Sequence, residues 1–466
     1  MENNTNEDTS FRDRLTTVSD EGDRVWVYAK KPKGKLYNYR KILAFFLLAF
    51  LFIAPFIKVH GEQFMLFNII ERKFVIFGVI FWPQDFHLFV LAMITMIVFV
   101  VLFTVIYGRL FCGWVCPQTI FMEFIFRQIE WLIDGNPQAQ RKLKKQTLNA
   151  EKVFKRVLKH GIYYLISLFI AFIFLSYILG VEQVKEFIVA GPAANMGGFI
   201  GIFVFSFVFY FIFAWFREQV CTIACPYGRL QGVMLDNNSM VVAYDYLRGE
   251  PRGPLNKNEN QGDCIACQAC VVVCPTGVDI RNGTQLECIN CTACIDACDA
   301  VMTRVKKPKG LIRFASEISI KEGKKHKLNT RAIAYSVVLA VLISLVAYLF
   351  SVRTDIETTI LRAPGTLFQE TEDSYTNLYN IEIVNKSREE IPISVKLIEG
   401  NGFIQMIGGE LSAKKGELTK SMFIILIKKV NLHDSKNSVK IGIYNGDQLI
   451  EEIPSTFVGP NKLDKK

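Results

Sequence analysis

Five stretches of this chain, residues 42–59, 87–107, 162–179, 199–216 and 332–350, are apolar almost without interruption. Each is long enough to cross a hydrocarbon core, which takes roughly 17–25 residues of helix. Inside lipid every backbone N–H and C=O must be paired within the segment, so at this length the stretches are expected to be helices. The charged residues lie in blocks between them, and the basic ones alternate. Lys and Arg number eight in 1–40, ten in 109–160 and fifteen in 217–330, against two in 60–86 and one in 181–196. Basic loops stay on the cytoplasmic face. The pattern therefore predicts five crossings, an inside N-terminus and an exported segment 352–466. The formal charge of +10 belongs to this topology and does not call for nucleic acid as a partner; lipid is the partner it fits. A polar stretch of about forty residues ahead of the first run, with no small-residue cleavage site behind it, argues against a cleaved signal peptide.

All twelve cysteines fall on the predicted inner side, and the exported tail has none. A chain that used cysteine for disulfides would show the reverse. Eight of them form two runs: Cys264-x-x-Cys267-x-x-Cys270-x-x-x-Cys274-Pro275 and, after thirteen residues, Cys288-x-x-Cys291-x-x-Cys294-x-x-x-Cys298. In this spacing three thiolates wrap one 4Fe-4S cubane while the fourth ligates the other cluster. Cys264, Cys267, Cys270 and Cys298 are thus assigned to cluster one, and Cys274, Cys288, Cys291 and Cys294 to cluster two. Zinc usually takes four ligands in two separated pairs, a poorer fit. Asp299 follows Cys298 where a ferredoxin has proline, which alters the local turn without removing a ligand. The runs describe a wire and name neither its donor nor its acceptor.

The other four cysteines come in two copies. Cys112, Cys116 and Pro117 recur as Cys221, Cys225 and Pro226, each shifted by 109 residues and each just beyond an apolar run. Two hairpins with the same ending suggest an internal duplication and a pseudo-twofold bundle. Proline suits the first turn of a helix, so Cys116 and Cys225 should precede helices opened by Pro117 and Pro226. There the helix N-terminus, with Arg109 or Arg217 nearby, is expected to favour thiolate. Four such sulfurs would suit Cu(I). The plainer alternative is that they are compact buried residues at helix ends. The five histidines, His60, His87, His160, His326 and His433, have no ligand spacing and no pairing within spans, so a b-type haem is not expected.

Residues 1–25 lack periodicity and read as disordered. Residues 74–82 are apolar but too short to cross, and fit either an interfacial piece or a packed loop. In the tail, 379–384, 391–397, 422–427 and 439–444 are rich in β-branched and aromatic residues, and Asn445-Gly446 is a hairpin turn signal. This suits a small immunoglobulin-type sandwich.

Taken together, the motifs CGWVCP and CTIACP, the linking AYDYLRGEPRG at residues 243–253, the double run ending in CIDACDAVM and the sandwich resemble the CcoG family, also called RdxA or FixG, the cytochrome c oxidase accessory proteins. The resemblance covers most of the chain. It implies a bacterial inner-membrane protein needed to assemble cbb3-type oxidase, with a role in copper supply and cupric reductase activity. Copper transporters or chaperones and oxidase assembly factors are the implied partners, beside an unnamed cytoplasmic electron donor; a homodimer is compatible with it. The family's Cys-x-x-x-Cys-Pro residues carry over to Cys112, Cys116, Cys221 and Cys225, and Asp299 agrees with the family. The expected layout is a cytoplasmic segment 1–40, a four-span α-helical bundle 41–220, a cytoplasmic segment 221–330 holding the ferredoxin-like module at about 255–305, a fifth span 331–351 and an exported all-β sandwich 352–466. Two other readings stay open: a quinol-oxidising respiratory subunit, and a redox-sensing scaffold whose sandwich docks oxidase subunits.

Overall fold

The computed structural model describes residues 16–19, 21–70, 73–82, 85–255, 261–323, 330–354, 356–365, 367–387, 389–409, 411–432 and 434–460. His326 and His433 lie outside the described residues. The chain divides into two compact units, Met1–Ile57 with Val90–Leu345, and Lys58–Phe89 with Val346–Lys466.

Among the described residues five helices are long and apolar enough to cross a membrane: Lys35–Phe56, Phe86–Tyr107, Ala150–Ile178, Met196–Phe216 and Thr330–Ser351. Phe45, Met96, Phe203 and Val341 on these helices are exposed, as lipid-facing side chains are. The first begins at Lys35, earlier than residue 42, because its first turn is capped from outside. Asp296 accepts hydrogen bonds from the free N–H groups of Leu36 at 3.3 Å and Tyr37 at 2.8 Å, donors that a helix cannot satisfy itself. It also ends sooner than expected, and Lys58–Val59 is a short strand. The third starts at Ala150, where Asn149 accepts from the Lys152 N–H at 2.9 Å. Its first turns are too basic for an apolarity reading to include.

Where helices do meet, aromatic side chains fill the contact. Phe126 stacks on Phe213 with centroids 4.6 Å apart and meets Tyr163 edge-on at 4.9 Å. The segment between the fourth and fifth spans passes through two antiparallel strands, Val241–Tyr244 and Ile312–Ala315. They bracket both cysteine runs. Their Val242, Tyr244 and Ile312 share a core with Ile280, Met302 and Leu311.

The expectation of disorder over 1–25 fails for its described part. Thr17 is fully buried. Thr16 hydrogen-bonds Glu287 through its N–H and the Thr276 carbonyl through its hydroxyl, at 3.2 and 2.8 Å. Further on, Lys30 N–H reaches the Val272 carbonyl at 2.9 Å and Trp131 the Ala29 carbonyl at 3.0 Å. Polar composition hid this because the segment binds by hydrogen bonds and not by apolar periodicity.

The second unit is a two-sheet β-sandwich. One sheet runs Gly402–Ile407, Leu418–Lys428, Ser374–Asn385, Ile356–Arg362, with Gln369–Glu370 also on Ser374–Asn385; the other runs Leu411–Ala413, Ile391–Glu399, Lys436–Asn445, Gln448–Val458. All four expected strands are present within longer ones. The turn is one residue later than expected, since Asn445 still pairs with Gln448. Tyr379, Ile381, Phe423, Ile425, Ile441 and Phe457 are fully buried. Residues 74–82 belong to a three-stranded sheet, Met65–Asn68, Lys73–Ile76 and Val79–Phe81, and so form a packed loop. Asp85 anchors it, paired with Arg353 at 2.8 Å and Lys386 at 2.7 Å.

Candidate iron–sulfur centres and the paired thiol site

The two cysteine runs share one backbone device. Ala266 and Gln268 in the first run have positive φ, and so do Asn290 and Thr292 at the matching places in the second. Left-handed conformations are uncommon outside glycine, and four at equivalent positions wind each loop around a centre. Cys270 and Cys294 then enter the first turns of the helices Ala269–Val272 and Ala293–Arg304. Cys298 lies within electrostatic reach of Cys264, Cys267 and Cys270. Cys274 in turn neighbours Cys288, Cys291 and Cys294. Each run's fourth cysteine thus stands with the other run's three. With Asp299 in place of proline, the helix carrying Cys298 continues to Arg304, and the Asp299 carboxylate accepts the Gly310 N–H at 2.9 Å.

A cavity lined by Cys270, Cys274, Cys288, Cys291 and Cys294 is otherwise walled mainly by aliphatic residues, Val242, Val278, Ile280 and Ile289, with Thr276 and Thr292. Among the described residues no three His, Cys, Asp or Glu side chains are close enough to hold a single metal ion. The sulfurs around a cubane stand farther apart than the ligands of one ion, so converging thiols on an apolar cavity fit a cluster better than zinc. Burial pushes the thiols of Cys270, Cys288 and Cys298 up to about 12 and that of Cys291 up to about 11. Thiolates at these positions therefore need a bound cation's field.

The paired motifs also repeat in their backbone. Gly108 and Arg217, 109 residues apart, both have positive φ just beyond a span. Cys116 and Cys225 are the N-cap residues of helices opened by Pro117 and Pro226. The Gly228 N–H donates to the Cys225 sulfur at 3.4 Å, and the N–H groups of Gln118 and Thr119 face Cys116. The copies differ where the first cysteine sits: Cys112 is on the α-helical turn Leu110–Trp114, Cys221 on the π-helical turn Val220–Ala224. Cys221 has Cys112, Cys116 and Cys225 as charge neighbours, and Cys116 has Cys225. All four are free thiols.

The expectation that Cys116 and Cys225 favour thiolate is not met at Cys116. Burial, the largest effect, raises Cys112 to about 11 and Cys221 to about 12, and raises Cys116 as well. Arg109 opposes this at Cys112. Arg217 does not, because it is committed to Glu130 by hydrogen bonds of 3.1 and 2.9 Å.

Glycine sets how close the two sites come. A Cβ on Gly113, next to Cys112, would collide with the Ile289 carbonyl and come within 3.0 Å of the Cys291 backbone. Without it, Cys112 packs into one cluster with Ile289, Cys291 and, at its edge, Cys294. Arg40, 1% exposed, clamps the junction by donating from Nε to the Gly113 carbonyl at 2.6 Å. Arg109, 3% exposed, donates to Gln231 and to the Leu286 carbonyl while its Nη2 has no hydrogen-bond partner. Sequence reasoning missed Arg40, Gly113 and Asp296, and took Arg109 only as a field on a thiol. Arg40, Arg109 and Gly113 lie at or just beyond the inner ends of spans, where the basic residues were read as topology, whereas Asp296 lies on the helix of the second run, far in sequence from the span it caps.

Residues 216–317 match the family described as a 4Fe-4S dicluster domain. Residues 89–139 match a 4Fe-4S binding domain, and 346–460 match the IG-like fold at the C-terminus of FixG. Protein RdxB of Cereibacter sphaeroides is 33% identical over 383 residues, 78% of this chain and 80% of its own. RdxA of the same organism is 36% identical over 340 residues, 71% and 72% of the two chains. The nitrogen fixation protein FixG of Rhizobium meliloti is 36% identical over 301 residues, 62% and 57%. A crystal structure of a FixG-related protein from Vibrio parahaemolyticus aligns over 24% of this chain and 100% of its own at 16% identity, with a TM-score of 0.21 too low to bear on the fold. With two relatives above 30% identity over most of their length and the iron–sulfur and FixG-type segments in order along the sequence, the chain belongs to the CcoG/RdxA/FixG family of iron–sulfur proteins.

Proposed function

We propose that this protein carries electrons from a cytoplasmic donor to the four-thiol site at Cys112, Cys116, Cys221 and Cys225, where Cu(II) is reduced to Cu(I) for delivery to cbb3-type oxidase assembly. The observation that carries the reading is the glycine junction. Gly113 lets the backbone of Cys291 lie against the residue next to Cys112, so an electron at the second run has a short packed path to the paired thiols. Cys264, Cys267, Cys270 and Cys298 would hold one cluster, and Cys274, Cys288, Cys291 and Cys294 the other. Bound there, the clusters supply one-electron transfer, which matches the one-electron reduction of the substrate Cu(II). The protein's own residues position that transfer: Arg40 fixes the Gly113 loop, Asp296 ties the helix of the second run to the first span, and the mainly aliphatic cavity walls limit access of water. The alternation of basic loops supports an inner-membrane topology with the clusters cytoplasmic and the sandwich periplasmic. The sandwich is the part available to dock assembly partners, copper transporters or chaperones.

The test is to reduce anaerobically purified full-length protein, remove the reductant, and add Cu(II) with a Cu(I)-specific chelator. Cu(I) should form in step with reoxidation of the cluster absorbance. Reduced protein that stays reduced in the presence of Cu(II) would sink the reductase step.

A further inference from the structure

An electron entering from the cytoplasm must come within reach of a cluster ligand, and one ligand offers itself at the surface. All twelve cysteines are among the described residues, and Cys267 alone of them is exposed. We propose that the surface around Cys267 is the docking face for the electron donor, and that the donor is a small acidic redox protein held by a rim of lysine and arginine side chains. The inference rests on the electron path proposed above and names the class of partner that feeds it.

The centre of this face is uncharged. Gln268 beside Cys267 is exposed, and Val272, at the end of the helix Ala269–Val272, is 41% exposed. Charge is depleted at the centre of protein interfaces because a partner can then approach closely without stripping water from an ion.

Three segments are hydrogen-bonded to the first run around that centre. The Lys30 N–H donates to the Val272 carbonyl at 2.9 Å, the Gly253 N–H to the Cys264 carbonyl at 3.2 Å, and Lys307 Nζ to the Gly262 carbonyl at 2.9 Å. Each brings exposed basic side chains with it: Lys30, Lys31 and Lys33 on the first, Arg252 on the second, Lys306 and Lys309 on the third. The acidic groups of the same region are already engaged. Asp263 pairs with Arg248 and Lys307, Asp279 with Arg281, Asp296 caps the first span, and Asp299 accepts the Gly310 N–H. The five rim lysines have no ion-pair partner among the described residues, and Arg252 meets Glu250 only at 3.9 Å. Unpaired cations around a neutral centre attract an acidic surface, raise its encounter rate and fix its orientation.

Anionic lipid is the other ligand that lysines beside a span can take, and the seating of the strap argues against it. Ala29 and Pro32 are buried, and the Gly34 backbone lies so close to Asp296 that an added Cβ would overlap the carboxyl group. The strap is thereby laid across the two helices that carry Cys270 and Cys298, both assigned to cluster one. Arg252, Lys306 and Lys309 lie well away in sequence from either neighbouring span. In the transfer itself the donor loses one electron and this chain gains it, with no bond or proton moved.

The probe is a reduced plant-type 2Fe-2S ferredoxin, a small acidic protein, mixed anaerobically with the full-length protein before any copper is added. Reduction followed at the cluster absorbance should be second order, and its rate constant should fall about tenfold between about 0.02 M and about 0.3 M salt. Lys30→Glu with Lys31→Glu and Lys33→Glu should slow it about tenfold, and so should Arg252→Glu with Lys306→Glu and Lys309→Glu. Iron content and reduction by dithionite should stay at the parent values in both. Zero-length carbodiimide cross-links, which need no electron flow, should join ferredoxin carboxylates to the rim lysines. A rate indifferent to salt, variants that ferredoxin reduces as fast as the parent, or cross-links confined to other surfaces would overturn the proposal. Variants that lose binding to phosphatidylglycerol vesicles while ferredoxin reduction is unchanged would give the lysines to lipid, and overturn it equally. The outcome is separable from the reductase reading: rim-dependent reduction without Cu(II) turnover sinks that function and leaves the docking face, while Cu(II) turnover without rim dependence does the reverse.

Discussion

In the sandwich, alternate side chains of Ser374–Asn385, Leu418–Lys428 and Lys436–Asn445 turn inward, and Tyr379 stacks on Phe423 at 5.4 Å over a core with no cysteine. Around Cys264 to Cys298 the interior is different in kind. Backbone is held in left-handed turns, thiols face a cavity, and arginines are buried to the last few per cent. One unit is held by apolar burial, which needs nothing added. The other brings together groups that are costly to bury and that become favourable only around bound cations. The difference teaches where each can fail.

Stripping iron anaerobically with a chelator should therefore have the largest effect and an uneven one. Structural metal sites contribute on the order of 10 kcal/mol, so residues 264–298 should become open to protease while the thermal transition of the sandwich is unmoved. A sandwich that melts together with iron loss would break the comparison. Phe423→Ala is the converse: a buried Phe lost from a packed core costs about 3–5 kcal/mol, and iron content should stay at the parent value.

Gly113→Ala should sit between the two. The added methyl meets the Ile289 carbonyl and the Cys291 backbone, and overpacking of this kind costs about 1–3 kcal/mol. Electron passage from the second run to the paired thiols should slow more than stability falls; equal rates in stopped-flow reoxidation would remove Gly113 from the path. Asp296→Ala deletes the cap on the first span and should cost about 1 kcal/mol, read as earlier iron loss on heating.

The smallest effect concerns pH. Burial works against the charge of Asp85, yet hydrogen bonds and charge from Arg353 and Lys386 outweigh it and hold its carboxyl below the ordinary range. A lowered carboxyl contributes stability above its unfolded value and loses it as pH falls through its folded value. Asp85→Asn should thus flatten the acid limb of sandwich stability, and an unchanged pH profile would remove this anchor from the account.

The parts legible in the sequence were those coded by spacing. Five apolar runs, two cysteine runs and the 109-residue repeat each carry their period locally, and alternation in 391–397 marked a strand. The parts that escaped are tertiary. Thr16 and Asp296 act on residues roughly 260 positions away, Gly113 matters only for what lies against it, and the edge strand Gly402–Ile407 carries apolar side chains on both faces, Ile404 and Met406 against the core and Phe403 and Ile407 exposed. The preference missed at Cys116 has the same origin, since a helix N-terminus can be read from a proline but desolvation cannot.

The hydrogen bonds of Thr16 to Thr276 and Glu287, and of Leu36 and Tyr37 to Asp296, also set an order of events during synthesis. The N-terminal partners leave the ribosome some 260 residues before the groups they bind, an interval of roughly 15 to 50 seconds at 5–20 residues per second. For that time the first span has no cap, and the strap that closes over the cysteine loops has nothing to close on. The cover is therefore already waiting when the cysteine loops emerge, and cofactor insertion competes with its closure from the moment Cys298 is made. A latch encoded after Cys298 would arrive later and leave the loops open for longer.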